Sequence, residues 1–213
     1  MLKFYFAPWS RSVGVHWLLE EIGAPYERIH IDIRAKGGVP ESYREIQPNK
    51  KVPAIDHNGT VVTERAAICL YLTEAFPDAK LAPPVGAHDR AAFLTWLVYC
   101  DSVFDPAVAA HAQGISYRPG SFSFGSYDDM LTNVRKRLAK NRFIAGDNFT
   151  AADTQMASGL FFTINILKAV PNDPVFQDYL SRTLSRPAYQ RIMLIEKEIT
   201  EATNAPVAQA AIP

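Results

Sequence analysis

The hydrophobic pattern of this chain changes once, at Pro77–Pro84, and that change limits the possible folds more than any other feature. Before it, short apolar runs alternate with helical patterns, whereas after it every long apolar pattern has the spacing of a helix. Prolines within the segment interrupt both kinds of pattern. The sequence therefore predicts two domains. The predicted division is an α/β domain at residues 1–77, a linker at 78–87, an all-helical domain at 88–204 and a flexible tail at 205–213.

The first 77 residues have the element order βαβαββα. Arg28–Ile33 alternates isoleucines with polar residues, which is typical of a strand with one buried face. Asn58-Gly59 lies between two apolar runs, which is the usual signal of a two-residue hairpin. The predicted elements are strands at Leu2–Phe6, Arg28–Ile33, Val52–Asp56 and Val61–Val62, and helices that start near Ser12, Glu41 and Glu64. A helix between the first two strands favours a parallel crossover.

Beyond the linker, the chain contains only helical patterns and their connections. The patterns cover Arg90–Ala112, Tyr127–Asn141, Ala151–Val170, Val175–Leu184 and Pro187–Ala202. They predict a helical bundle. The segment Gln113–Ser126, between the first two helices, is rich in glycine, serine and aromatic residues and is too apolar for a simple connection. Loops of this kind often cover a binding site.

Charge and composition exclude several classes of function. Lys and Arg total 22 and Asp and Glu total 22, so the net charge is +0, and no long-range field favours nucleic acid or an anionic membrane. No apolar stretch approaches the roughly 20 residues that span a bilayer, and Pro8 interrupts the N-terminus before a secretory signal could form. Cys69 and Cys100 lie in helical patterns without disulfide or metal-ligand spacing. We expect a cytoplasmic protein without nucleic-acid or membrane partners.

Three local features favour a site for an extended, ionised ligand. Pro53 follows Val52 at the start of a strand, where a cis bond would turn the Val52 backbone outward and let it pair with a peptide. Glu64 begins a helix whose N-terminus favours an anion. Pro8–Ser12 places hydroxyls and a cation before the first helix, where the helix dipole favours a thiolate.

The run Lys51-Val52-Pro53, followed by Thr63–Leu72, resembles the glutathione-binding half of the soluble glutathione transferases. Gly146–Asp153 resembles the segment that caps a helix in the second domain of that family, with Thr150 as cap and Asp153 as its reciprocal partner. The resemblance covers almost the whole chain. It implies a thioredoxin-like first domain, an all-helical second domain, glutathione as cosubstrate, no metal, and a cytoplasmic homodimer with a role in detoxification.

The same resemblance assigns the glutathione site. Val52, before Pro53, would pair through its main chain with the cysteinyl part of glutathione, and Lys51 would neutralise the glycyl carboxylate. Glu64 and Arg65 would hold the γ-glutamyl end. Arg65 departs from the family's usual serine, so it either supplies a charge-assisted bond in place of the hydroxyl or points into solvent and weakens binding.

The thiol-activating residue is expected in the turn before the first helix. A proline followed two residues later by a serine resembles the serine-type transferases and makes Ser10 the first candidate. Arg11 or Ser12 takes the role if the loop aligns differently, and Tyr5 is the outside candidate. Lowering a thiol pKa by about two units needs about 2.7 kcal/mol, more than the roughly 0.3–1 kcal/mol of a helix dipole, so a hydrogen bond is required as well. In the alternative reading, Ser10 and Ser12 only cap the helix.

These assignments predict an enzyme that adds the glutathione thiolate to small hydrophobic electrophiles. Trp9, Tyr117, Phe122 and Phe124 would line the electrophile pocket, or the three loop aromatics would form a core of their own. Asp101 resembles a position that reaches the neighbouring subunit's glutathione, or it is a helix-surface carboxylate. Two other functions stay open: a glutathione-dependent disulfide or peroxide reductase, and a non-catalytic binding or assembly module with the same fold.

Overall fold

In the computed structural model, which describes residues 1–203, the chain forms two compact units. The first unit contains Met1–Ala79 and the helix that begins at Pro187, and the second unit contains Lys80–Arg186. That last helix was predicted to belong to the helical domain, but the structure groups it with the first unit. The reason lies in its packing, because the Tyr189 ring contacts the Trp17 ring at a centroid distance of 4.7 Å.

The first unit is built on a four-stranded mixed sheet with the strand order β2-β1-β3-β4. Numbered in chain order, its elements are β1 (Leu2–Phe6), α1 (Val13–Ile22), β2 (Tyr26–His30), β3 (Ala54–His57), β4 (Thr60–Thr63), α2 (Arg65–Ala75) and α8 (Pro187–Thr203), with 3-10 turns at Glu41–Glu45 and Pro77–Ala79. β1 pairs in parallel with β2 and antiparallel with β3, and β4 is antiparallel to β3. The predicted parallel crossover and fold class are confirmed.

Two turns of the first unit form where the sequence supplies residues that adopt positive φ. Asn58 and Gly59 connect β3 to β4 with φ angles of 55° and 89°, the left-handed values that a two-residue hairpin requires. Gly23 ends α1 with a φ angle of 72°, and its N–H donates to the carbonyl of Leu19 at 3.0 Å. The hairpin was predicted from the sequence, and Gly23 is the glycine that follows the apolar helical pattern of α1.

The second unit contains helices and their connections. Its elements are α3 (Arg90–Tyr99), a π-helical turn (Cys100–Phe104), α4 (Asp105–Ala112), a 3-10 turn (Pro119–Ser121), α5 (Tyr127–Lys140), α6 (Ala151–Asn165) and α7 (Pro174–Leu184). The capping segment before α6 forms as predicted, with the Thr150 N–H donating to the Asp153 carboxylate at 2.8 Å. Asp153 is fully buried, and burial raises its pKa to about 6 even though the Thr150, Ile144 and Tyr179 donors oppose the shift.

Several predicted elements differ in the structure: β3 starts at Ala54 rather than Val52, α6 ends at Asn165 rather than Val170, and the helix predicted near Glu41 is a 3-10 turn. β2 starts at Tyr26 rather than Arg28, because its register with β1 begins at the Leu2–Tyr26 pair. The helix predicted at Arg90–Ala112 is divided by the π-helical turn. Pro106 follows that turn and has no N–H to donate to the preceding carbonyls, so the regular hydrogen-bond ladder cannot continue through it.

The largest fully buried side chains are mostly aromatic. They include Trp17, Tyr179, Phe4, Phe6, Phe93, Phe104 and Phe176. Cys69 and Cys100 are buried and form no disulfide within the described residues, as expected for core residues. No helix among the described residues is long and apolar enough to cross a membrane. The tail predicted at 205–213 lies outside the described residues.

Candidate functional site

The segment before β3 is held in place by two buried side chains. The N–H of Lys51 donates to the side-chain oxygen of Gln47 at 3.2 Å, and the Tyr43 hydroxyl donates to the Lys51 carbonyl at 3.1 Å. Burial raises the pKa of Tyr43, so this hydroxyl stays protonated and keeps its role as a donor. The Val52–Pro53 peptide bond that follows is cis, as predicted.

Val52 is the residue whose main-chain groups are available for hydrogen bonds to a ligand. The β1–β3 ladder reaches no further than the Tyr5–Ala54 pair. Within the described residues, the main-chain N–H and C=O of Val52 form no protein hydrogen bond. A half-buried residue with both groups unpaired can accept an added strand, because main-chain groups away from water require a partner.

The two adjacent lysines differ in their partners. Lys50 donates from Nζ to the Glu41 carboxylate at 2.6 Å and to the Val39 carbonyl at 3.0 Å. The Lys50 ammonium, followed by the Arg44 guanidinium, lowers the pKa of Glu41 to about 2. Lys51 is exposed and has no carboxylate partner among the described residues. Lys51 is therefore the cation that a ligand carboxylate can approach.

The start of α2 carries the pair assigned to the γ-glutamyl end. Glu64 precedes the helix, is exposed, and has a φ angle of 67°. This left-handed conformation is uncommon outside glycine and frequently marks a ligand site. Arg65 is only 8% exposed. The possibility that Arg65 points into solvent is therefore wrong.

Ser10 lies in the turn before α1 and is partly exposed. Its hydroxyl donates to the Ala7 carbonyl at 2.7 Å and lies 2.9 Å from the Ser12 hydroxyl, while its oxygen accepts from the Ser12 N–H at 3.1 Å. Ser12 is fully buried and makes no side-chain cap to α1. Of the two serines, Ser10 is the more exposed, and Ser12 hydrogen-bonds to it. Arg11 is partly buried and has an interaction within the protein.

Tyr5 lies in the core of the first unit. It is 8% exposed and packs against Tyr43 at a ring-centroid distance of 5.9 Å. Val52 packs against the same cluster. Tyr5 and the half-buried Val52 thus belong to one cluster, and the burial of Tyr5 argues against a role as thiol activator.

The turn before α1 is held by residues that were not predicted from the sequence. The N–H of Trp9 donates to the Glu196 carboxylate at 2.8 Å, and its indole N–H donates to the Thr200 hydroxyl at 2.8 Å. Arg34 donates to the Trp9 carbonyl at 3.3 Å. Glu196 carries a signal that could have been read, since it is an acidic residue on the same helical stripe as the buried Ile192.

The three loop aromatics of the second unit form one cluster. Tyr117 and Phe124 rings lie 5.2 Å apart, Phe122 and Phe124 rings lie 5.4 Å apart, and the Tyr117 hydroxyl donates to the Gly125 carbonyl at 3.0 Å. A mostly apolar cavity of about 510 Å³ opens beside them. Trp9, the fourth residue assigned to an electrophile pocket, belongs to the first unit.

Asp101 lies in the π-helical turn, is half-buried and has an interaction within the protein. Among the described residues, no group of three His, Cys, Asp or Glu side chains is arranged to hold a metal ion. His16 is fully buried, and its Nδ1 lies 2.8 Å from the Glu196 carboxylate. His16 and Glu196 therefore pair with each other.

Known proteins resemble this chain in both sequence and fold. Residues 2–74 match the family described as glutathione S-transferase, N-terminal domain. The glutathione S-transferase GstA of Escherichia coli O157:H7 is 25% identical over 203 residues, covering 92% of this chain and 98% of that protein. A glutathione transferase structure from Methylococcus capsulatus has a TM-score of 0.76 at 25% identity and covers 93% of this chain and 100% of its own. A sphingomonad glutathione S-transferase complexed with glutathione has a TM-score of 0.74 at 26% identity, with 92% and 98% covered.

Proposed function

Because this chain belongs to the glutathione S-transferase family of enzymes, we propose that it binds glutathione in its first unit, ionises the thiol at the start of α1, and conjugates it to small hydrophobic electrophiles. The observation that carries the proposal is that the main-chain N–H and C=O of Val52 pair with no group in residues 1–203. Glutathione is an extended peptide whose cysteinyl residue carries the matching N–H and C=O. Two antiparallel main-chain hydrogen bonds would therefore place the cysteinyl sulfur in a fixed register.

The carboxylates of glutathione would set its direction. Lys51 is exposed and lacks a carboxylate partner among the described residues, so it suits the glycyl carboxylate. The γ-glutamyl end carries an amine as well as a carboxylate, and the exposed carboxylate of Glu64 suits the amine. The positive end of the α2 dipole, directly after Glu64, favours the γ-glutamyl carboxylate. In this scheme Arg65 adds positive charge near the same end from a buried position.

Ser10 would stabilise the ionised sulfur. Its hydroxyl can turn from the Ala7 carbonyl toward a ligand, because its oxygen is already fixed by the Ser12 N–H. A hydrogen bond to a charged acceptor is worth about 1.5–3 kcal/mol, and the α1 dipole adds about 0.3–1 kcal/mol. Together these reach the roughly 2.7 kcal/mol needed to bring a thiol from a pKa near 8.5 to a mostly ionised state at neutral pH.

The protein forms no covalent intermediate in this reaction. The sulfur of glutathione attacks an electrophilic carbon and forms a carbon–sulfur bond, while a halide ion leaves, or an epoxide carbon–oxygen bond opens and the resulting alkoxide takes a proton from solvent. The released thiol proton passes to solvent. The protein lowers the thiol pKa and orients the nucleophile, and both contributions depend on groups that are in place before the electrophile arrives.

The electrophile would use the apolar cavity beside Tyr117 and Phe124. Its lining also includes exposed apolar carbons from Ile115 and Phe122. A cavity of about 510 Å³ has the size of a small-molecule site. Aromatic walls suit flat, hydrophobic substrates such as aryl halides.

We also propose that the protein is a homodimer. Val98, on α3 of the second unit, is 51% exposed, and Val61, on β4 of the first unit, is 41% exposed. An exposed valine on a regular element suits an interface with a second copy. Sedimentation equilibrium should give twice the monomer mass, and a monomer at micromolar concentration would contradict this assignment.

Calorimetry and parallel assays test the function. Titration with glutathione should give saturable binding, and S-methylglutathione should bind without the proton release that accompanies thiol ionisation. Conjugation should be measured with an aryl halide and an epoxide, beside disulfide and peroxide reduction with glutathione. Reduction without conjugation would favour the reductase, and no glutathione binding at millimolar concentration would favour a non-catalytic module.

A further inference from the structure

The turn that carries Ser10 is anchored to the C-terminal helix of the same unit. Glu196, on α8, is fully buried, and one of its carboxylate oxygens accepts the main-chain N–H of Trp9 at 2.8 Å. Its other oxygen lies 2.8 Å from Nδ1 of His16, which is on α1. One carboxylate therefore connects α8 to α1 and to the residue before Ser10.

Trp9 is in a conformation that needs this support. Its φ angle is 51°, a left-handed value that is unfavourable for a bulky side chain and persists only where the surroundings fix it. Three polar groups of Trp9 are engaged: the N–H by Glu196, the C=O by Arg34 and the indole N–H by Thr200. Two of these three partners lie on α8, one helical turn apart.

His16 makes the carboxylate difficult to replace. The imidazole is fully buried among aromatic rings, with ring-centroid distances of 5.4 Å to Phe4 and 5.6 Å to Phe6. Its Nε2 has no partner among the described residues. A carboxylate only accepts hydrogen bonds, so Nδ1 is the imidazole nitrogen that donates to Glu196. A side chain that cannot accept at this position would leave the buried Nδ1–H without this acceptor.

We propose that Glu196 is a positioning residue for thiol activation, acting through Trp9 to hold the Ser10 hydroxyl where the glutathione sulfur binds. This inference rests on the proposed function. Ser10 is the next residue after Trp9, so a change in the Trp9 backbone angles displaces the hydroxyl directly. Hydrogen bonds weaken steeply with distance and angle, so a small displacement removes the stabilisation of the thiolate while leaving the main-chain contacts of Val52 intact.

Glu196→Gln is the decisive variant because it keeps the size of the side chain and removes one acceptor. If the amide oxygen keeps Trp9, the amide NH₂ faces His16 and forces its proton to Nε2, where it has no partner among the described residues. If the amide turns over, Trp9 loses its acceptor. Thr200→Val is a milder second variant, since it removes only the hydroxyl that holds the indole.

Arg191→Gln is the matched control. Arg191 also joins α8 to α1, donating to the Glu20 carboxylate at 2.9 Å and to the Glu20 carbonyl at 2.9 Å. It contacts neither Trp9 nor Ser10 through any hydrogen bond of the described residues. If Glu196→Gln acts by a general loosening of the α8–α1 packing, Arg191→Gln should change the thiol pKa as well. If Glu196 acts by positioning Ser10, Arg191→Gln should leave the thiol pKa unchanged.

The measurement is the ultraviolet absorbance titration of the bound thiolate, with calorimetric affinity and the pH profile of kcat/KM. We expect Glu196→Gln to raise the pKa of the bound thiol by about one unit or more and to lower kcat/KM at neutral pH about tenfold, with a glutathione Kd within about twofold of wild type. Thr200→Val should shift the thiol pKa in the same direction by less. Arg191→Gln should leave the thiol pKa unchanged, even if its melting temperature falls.

The direction in which the thiol pKa changes in Glu196→Gln distinguishes displacement of Ser10 from the loss of a negative charge. Loss of a buried negative charge would by itself lower the pKa of a nearby thiol, so a lowered or unchanged pKa in Glu196→Gln overturns the proposal. If that variant does not fold, Thr200→Val decides on the same criterion. Wild-type protein that binds no glutathione would overturn the proposed function itself, whereas wild-type binding with no effect of either variant would overturn only the role of Glu196.

Discussion

The Ser10 hydroxyl donates to the carbonyl oxygen of Ala7 at 2.7 Å, while the N–H of Ser12 donates to the Ser10 oxygen at 3.1 Å. The oxygen is thus fixed from one side, and its single proton is directed at a carbonyl on the other. Rotation about one bond is enough to turn that proton toward a ligand sulfur. The turn therefore holds the oxygen in place, and only the proton has to change partner.

Ser10→Ala should raise the pKa of the bound glutathione thiol by about one to two units and lower kcat/KM at neutral pH by about 10- to 100-fold, because a hydrogen bond to a charged acceptor is worth about 1.5–3 kcal/mol. Absorbance titration of the thiolate and steady-state kinetics measure the two effects. Ser12→Ala is the control, and its effect should be smaller since Ser12 is fully buried. Equal thiol pKa values in Ser10→Ala and wild type would move the role away from Ser10.

Lys51→Gln should weaken glutathione binding about tenfold, because an unpaired cation would be lost from the site of the glycyl carboxylate. Its neighbour supplies a matched control, since the Lys50 ammonium already pairs with Glu41 at 2.6 Å. Lys50→Gln should change the glutathione Kd by less than about twofold, as expected for an exposed ion pair elsewhere. Calorimetry at two salt concentrations checks both variants. Equal losses in the two would show that Lys51 has no special role.

Asp153 should make stability depend on pH in the acidic range. Burial raises its pKa from 3.8 to about 6 in the folded state, so between these values the folded protein binds more protons than the unfolded chain. Its contribution to the free energy of unfolding is therefore largest below about pH 4, falls as the pH rises to about 6, and is constant above that.

Comparison with Asp153→Asn isolates this effect. The variant lacks the titration and leaves donors from Thr150 and Tyr179 less well satisfied, which should lower stability at neutral pH by about 1–3 kcal/mol. The free energy of unfolding of the wild type exceeds or falls below that of the variant by an amount that depends on pH. This difference, wild type minus variant, should decrease by roughly 2–3 kcal/mol as the pH rises from about 4 to 6. Urea unfolding across this range measures it, and a difference that rises with pH would contradict the assignment.

Phe122→Ala should raise the KM for an aryl electrophile several-fold and leave the glutathione Kd unchanged, because Phe122 lines the apolar cavity and loses its contact area. The residue is 53% exposed, so the fold should tolerate the change. Leu194→Ala, which removes an apolar side chain that is 64% exposed on α8, is the control. An unchanged KM in Phe122→Ala would indicate that the loop aromatics only pack against each other and do not contact the electrophile.

Local sequence was enough to predict the elements that place the site. The strands, the Asn58-Gly59 hairpin and the end of α1 at Gly23 depend on period and on backbone preferences that neighbouring residues determine. The capping box of Thr150 and Asp153 is likewise a contact between residues three apart. Each of these features needs only a short stretch of chain, so its signal is present in that stretch.

The support of the Ser10 turn could not be predicted in the same way. Glu196 lies 187 positions from Trp9, and no periodicity connects a carboxylate on the last helix to a turn after the first strand. The position of α8 was misassigned for the same reason, since a helical pattern does not state which surface it packs against. The burial of Arg65 also depends on tertiary packing rather than on its neighbours in sequence.

The central claim is that the main chain of Val52 binds glutathione as an added strand. Hydrogen exchange of the Val52 amide, followed by NMR with and without millimolar glutathione, tests it most directly, with the Gly59 amide as an internal control because it already donates to Asp56 at 2.7 Å. The account predicts that glutathione slows exchange at Val52 at least about tenfold and leaves Gly59 unchanged. Exchange at Val52 that is the same with and without saturating glutathione would contradict it.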